Sequence, residues 1–179
     1  MALAKSRRRV SVALICIAAV LLGLICVDQL QGGPLGREFH SDGFGEGINT
    51  KVGRHILFGG PGELENSTWF PFDIQSVRPV QYFTGATLTA GIIKVKLGQP
   101  LPGVVYANQN LYPLAKGHIS IPPGENIHSN GDRYDIALIV TPHHPGTFEV
   151  DGLFVRYRWG PFVYTAKLPE TFTTTATGK

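Results

Sequence analysis

Apolar and polar residues alternate at period two along much of the second half of the chain. In IIKVKL, Ile93, Val95 and Leu97 fall on one face and Lys94 and Lys96 on the other, the spacing of a strand that buries one side. In RYDIALIVT, Tyr134, Ile136, Leu138 and Val140 form one face, with Asp135 and Thr141 opposite. Phe148 and Val150 point inward next. Leu153, Val155, Tyr157 and Trp159 continue that inward set, and leave Arg156 and Arg158 outside, only if the strand slips at Asp151-Gly152. A glycine at a register shift predicts a bulge there. Less regular strands are predicted over 52–58, 68–77 (interrupted by Pro71), 80–89, 117–121 and 162–167. Turn chemistry separates them: GGPG at 59–62, QPLPG at 99–103, PPG at 122–124, Asn130-Gly131 and Gly160-Pro161. Residues 98–116 are the least regular, a long crossover or a helical turn near 112–116.

A different pattern opens the chain. Residues 10–27, VSVALICIAAVLLGLICV, hold one serine and no charge. As a helix the run spans about 27 Å, close to a bilayer core. Two readings stay open, a retained anchor and a cleaved signal peptide. The run exceeds the usual apolar length of a signal peptide, and LICVDQ at its end offers no small-x-small cleavage site. The retained helix is the reading adopted. Lys5, Arg7, Arg8 and Arg9 precede it, which places the N-terminus in the cytoplasm and the remainder outside.

Those four bases also change how the charge is read. The chain of 179 residues carries 16 Lys and Arg against 13 Asp and Glu. Without the N-terminal cluster, twelve bases face thirteen acids. The basicity is thus local and gives no argument for nucleic-acid binding. Both cysteines, Cys16 and Cys26, lie within the apolar run, so the exported portion folds without disulfides. The expected organisation is a cytoplasmic basic stub (1–9), a transmembrane helix (10–27), a flexible Gly-rich tether (28–50), a β-domain (51–170) and a Thr-rich tail (171–179). Seven or eight short one-faced strands need two sheets to close a core, the signature of a β-sandwich.

The stretches GELENSTWFPFDIQSVRPV and RYDIALIVT–PHHPG–TFEVDGLFVRYRW resemble the early strands and the late strand pair of immunoglobulin-like domains found outside bacterial membranes. The resemblance covers about residues 50–170 and is one of pattern. It implies an all-β immunoglobulin-like fold and export, and it assigns no activity.

Candidate chemistry is sparse. His143 and His144 lie in PHHPG, where proline fixes φ and glycine frees it, as a strand connection requires. Adjacent extended residues point to opposite sides, and His40, His55, His118 and His128 show no ligand spacing. The pair therefore reads as a turn, with a metal-handling domain as the alternative. No serine occupies a nucleophile motif, no phosphate loop is present, and no cofactor or small-molecule substrate is indicated. An enzyme with a site invisible in sequence remains a further alternative. Outward-facing cations are the better lead: Lys94 and Lys96 from one strand, Arg156 and Arg158 from another, with Phe154 beside them. If these strands share a sheet they form a binding face for a membrane partner or an anionic envelope component.

Overall fold

The computed structural model describes residues 2–38, 45–59, 66–96, 99, 103–107, 112–115, 117–123 and 132–178; for 2–13, 36–38 and 132–133 it describes the backbone alone. Two helices come first, α1 (Ala2–Leu30) and α2 (Gly33–Glu38). Nine strands follow among the described residues: β1 (Gly45–Lys51), β2 (Ile56–Gly59), β3 (Phe72–Pro79), β4 (Ala86–Lys96), β5 (Val104–Tyr106), β6 (Ile119–Ile121), β7 (Asp132–Pro142), β8 (Gly146–Trp159) and β9 (Phe162–Thr177). They form a five-stranded sheet, β1-β9-β8-β3-β6, and a four-stranded sheet, β4-β7-β2-β5. Every pairing is antiparallel except β1 with β9, which run parallel. The fold is all-β, as the alternation predicts.

One core draws on both sheets. Ile56, Phe58, Ile92, Ile136 and Leu138 from the four-stranded sheet meet Val150, Leu153, Val155, Tyr157 and Phe172 from the other. Phe58 and Phe172 touch edge to face across the gap, with centroids 5.5 Å apart. The predicted bulge is present: the β8–β9 register shifts between Asp151 and Leu153, with Gly152 at φ +98°. A side chain at Gly152 would meet the Leu168 carbonyl, so only glycine fits.

The four-stranded sheet is covered on its second face too. Leu57, Ile93, Val95, Tyr112, Ala137 and Ile139 make a separate cluster there, with Val105 and Leu114 packed against it. Ile93 and Val95 thus pack in this outer cluster rather than in the central core. Lys94 and Lys96 share the row of Ile92, at the last residues of β4.

The segment expected as a tether, 28–50, contains ordered structure among its described residues. Leu35 is buried in the central core, and β1 begins at Gly45. The expected Thr-rich tail continues β9 to Thr177, where it pairs with β1. The reason is geometric. The β9 residues 162–168 pair with β8 only, and β1 joins β9 from Thr171 onward. Half of the β9 edge is thus left for the chain between α1 and α2 to cover. Gly32 (φ +77°) and Gly33 (φ +69°) reverse the chain there. A Cβ on Gly32 would lie 2.8 Å from Ala166 Cα, and one on Gly33 2.5 Å from Tyr164 Cδ1. Tyr157 Oη donates to Gly32 O at 2.8 Å and accepts from Leu35 N at 3.0 Å. Tyr164 Oη donates to Asp28 Oδ2 at 2.9 Å.

This junction is a measurable contributor to stability. Tyr157→Phe leaves the Leu35 N–H buried without its acceptor and is expected to cost about 1–3 kcal/mol, whereas Tyr164→Phe, whose lost partner lies nearer solvent, costs less. Denaturant unfolding of the full chain reads both. Equal effects from the two variants would show that the Tyr157 hydroxyl holds nothing in particular.

Candidate functional site

The outer face of the five-stranded sheet carries the charge. Along β8 the burial alternates, with Leu153, Val155 and Tyr157 inside and Phe154, Arg156 and Arg158 outside. Cross-strand register sets their neighbours: Arg158 lies between Asp73 and Val163, Arg156 between Ser76 and Thr165, and Phe154 between Arg78 and Lys167. The Arg78 guanidinium stands 5.0 Å from the Phe154 ring centroid, a cation–π geometry. Lys167 Nζ reaches Asp151 Oδ2 at 3.4 Å in an exposed pair. Four cations thus share one face: Arg78 and Lys167 flank Phe154, and Arg156 and Arg158 follow along β8, with Asp73 beside Arg158 and Asp151 beside Lys167.

Lys94 and Lys96 are not among them. They lie on β4, in the other sheet, so the four-residue patch expected from sequence does not assemble. Arg78 and Lys167 take their place. Sequence reasoning could place neither, because the pairing of β3 and β9 on either side of β8 is a long-range fact with no local signature.

His143 and His144 occupy the bend between β7 and β8, and His143 Nε2 is hydrogen-bonded with Thr87 Oγ1 at 2.7 Å. His55 Nδ1 is hydrogen-bonded with Thr141 Oγ1 at 2.7 Å. His40 and His128 lie outside the described residues. Among the described residues no three His, Cys, Asp or Glu side chains converge to hold a metal ion.

On the opposite face of the same sheet is a feature the sequence reading missed. The inward row of β9 runs Tyr164, Ala166, Leu168, Glu170, Phe172, Thr174 and Ala176. Glu170 is 2 % exposed. Glu46 lies on the adjoining strand β1, one position from the Gly45–Thr171 pair. Glu46 Oε2 and Glu170 Oε1 are buried with no hydrogen-bond partner among the described residues. Burial pushes the Glu170 carboxyl up to about 7, and the nearby Glu46 charge adds to the rise. Burial raises Glu46 as well. The signal was available in part: carrying the period-two pattern of 162–167 onward through Leu168 puts Glu170 inside. Comparison with family models and with curated proteins finds no match for the chain.

The carboxyl pair makes stability pH-dependent with a definite sign. Folding raises the Glu170 pKa from 4.5 to about 7, so within that window the folded chain holds a proton that the unfolded chain has released. Raising the pH therefore favours unfolding, and the loss is complete above the folded value. Between about pH 5 and about pH 8 the expected loss is on the order of 2–3 kcal/mol. Thermal unfolding across this range tests it, and Glu170→Gln is expected to flatten the profile. A profile equally steep in the variant would place the titrating group elsewhere.

Proposed function

We propose that the chain is a single-pass membrane protein with a cytoplasmic N-terminus, whose extracytoplasmic immunoglobulin-like β-sandwich binds an anionic partner, a membrane protein or a charged envelope component. The observation that carries the binding reading is the sharing of one outer sheet face by Arg78, Arg156, Arg158 and Lys167, with Phe154 between Arg78 and Lys167. Guanidinium groups next to an aromatic ring suit carboxylate, phosphate or sulfate groups. The two-sheet, mainly antiparallel arrangement supports the sandwich reading.

Support for the anchor comes from α1. Among the described residues no helix is long and apolar enough to cross a membrane. The α1 side chains are described only from Leu14, so the apolar run of 10–27 extends past them on its N-terminal side. From Leu14 to Val27 the large apolar side chains are exposed, Ile15, Leu21 and Leu24 among them. A continuous apolar surface of this kind calls for lipid or protein cover. The basic residues before the run favour the N-terminus inside.

The binding reading is tested with the full chain in nanodiscs of neutral lipid, using a sulfated polysaccharide and a polyphosphate as probes. Binding of at least one is expected, weakened roughly tenfold or more by Arg156→Glu/Arg158→Glu and by raised salt, as an electrostatic contact requires. Binding that is indifferent to the charge reversal, or no binding of either polyanion, would remove this face as the site.

A further inference from the structure

Beyond the basic face, the end of the β8–β9 hairpin and the segment leading into β3 carry large apolar side chains in the open. Trp69 is 90 % exposed and Phe70 49 %. Phe162 and Val163, which open β9, are exposed as well. Exposed apolar residues scattered singly need no explanation, but a contiguous group does.

The exposure of Trp69 is built in. Asn66, 2 % exposed, anchors its segment from below. The Asn66 side-chain amide donates to Phe70 O and to Ile121 O, each at 2.8 Å. Its Oδ1 accepts from Thr68 N at 3.0 Å and from Thr68 Oγ1 at 2.7 Å. Trp159 Nε1 in turn donates to Thr68 Oγ1 at 2.8 Å. With the backbone on either side of it held in this way, Trp69 is presented outward by a satisfied polar network. The same network leaves no free amide on Asn66, so the sequon Asn66-Ser67-Thr68 is closed to glycosylation in the folded chain.

The group is continuous with α1. Phe70 packs edge to face on Trp159, with centroids 5.5 Å apart. Trp159, Phe162 and Tyr164 then line an open groove whose other wall is Leu24, Ile25 and Val27 of α1. Asp28, the first charge after the apolar run, is bound by Tyr164 Oη. The hairpin end thus lies level with the point where the apolar part of the helix stops. Neither NSTWFP at 66–71 nor WGPFV at 159–163 contains a charged residue, and Arg158, the cross-strand partner of Val163, has a side chain long enough to keep its charge among the headgroups. Side chains with an apolar body and one polar atom, as Trp and Tyr have, favour the headgroup layer.

From this continuity we propose that Trp69, Phe70, Phe162 and Val163 form a rim that rests in the headgroup layer of the bilayer holding α1. The inference rests on the membrane-anchored reading above. It commits to lipid as the occupant: the rim adjoins a helix whose own uncovered surface is apolar, at the level where that surface ends. A protein partner on this rim is the competing outcome.

The test uses the full chain reconstituted into lipid vesicles, first purified by flotation. The sequence has two tryptophans, so Trp159→Phe leaves Trp69 as the sole emitter. Lipids brominated near the headgroup are expected to quench its emission roughly twofold or more, and lipids brominated near the chain end to quench it less, as interfacial depth requires. In the chain that keeps Trp159, Trp69→Phe should lower the headgroup-depth quenching relative to the unsubstituted chain, which guards against a Trp159→Phe variant that folds poorly. A chain that floats with the vesicles yet shows red, unquenched Trp69 emission overturns the rim while leaving the anchor standing. A chain that does not float overturns the anchor and the rim with it.

Discussion

The hydroxyl of Tyr157 joins the core of the sheet to the backbone at the start of the chain. It stands in the core of the five-stranded sheet, yet it is satisfied by the backbone of the reversal between α1 and α2. A buried hydroxyl without partners is costly. The sheet therefore favours one placement of residues 32–35, and two adjacent left-handed glycines make that placement sterically allowed. The groove between α1 and the hairpin, the bond from Tyr164 to Asp28 and the cover over the free half of the β9 edge all follow from this docking.

Most of the strands were legible because one-sided burial writes itself into sequence at period two. Tyr134 to Val140 and Leu153 to Trp159 fall into place, and the glycine bulge between Asp151 and Leu153 is visible as a slip in the same pattern. Which face is the core, and which strands are neighbours, left no such mark. Ile93 and Val95 were expected inside with Lys94 and Lys96 outside. A segment distant in sequence covers that second face, so the apolar row faces a satellite cluster instead. Weak alternation hid β1 within a glycine-rich stretch, because its partner lies more than a hundred residues away. Of the candidate site, Arg156, Arg158 and Phe154 were readable from strand periodicity. Arg78 and Lys167 were not, since pairing across strands is long-range.

The five-stranded sheet carries ionisable groups on both of its faces. Cations crowd the outer face of β8 and its neighbours, while the buried carboxyls of Glu46 and Glu170 sit inside along the β1–β9 seam. The two groups differ in how they respond to their surroundings. Exposed arginines feel salt and approaching anions. Burial strips water from the Glu170 carboxylate, which is the main cause of its rise to about 7, and the Glu46 charge adds to it.

The short glycine reversal also governs what the domain can reach in the membrane-anchored reading. A protein hung on a loose string samples a hemisphere and meets any neighbour within its length, at an effective concentration that varies gently with linker length. A domain clasped to its own helix by Tyr157 and Tyr164 explores almost no such volume. Its neighbours at matching height and bearing encounter it at high local concentration, and those a nanometre above or below scarcely at all. Selectivity among partners would then come as much from altitude as from surface chemistry, and inserting a few residues at Gly32-Gly33 would trade that selectivity for range.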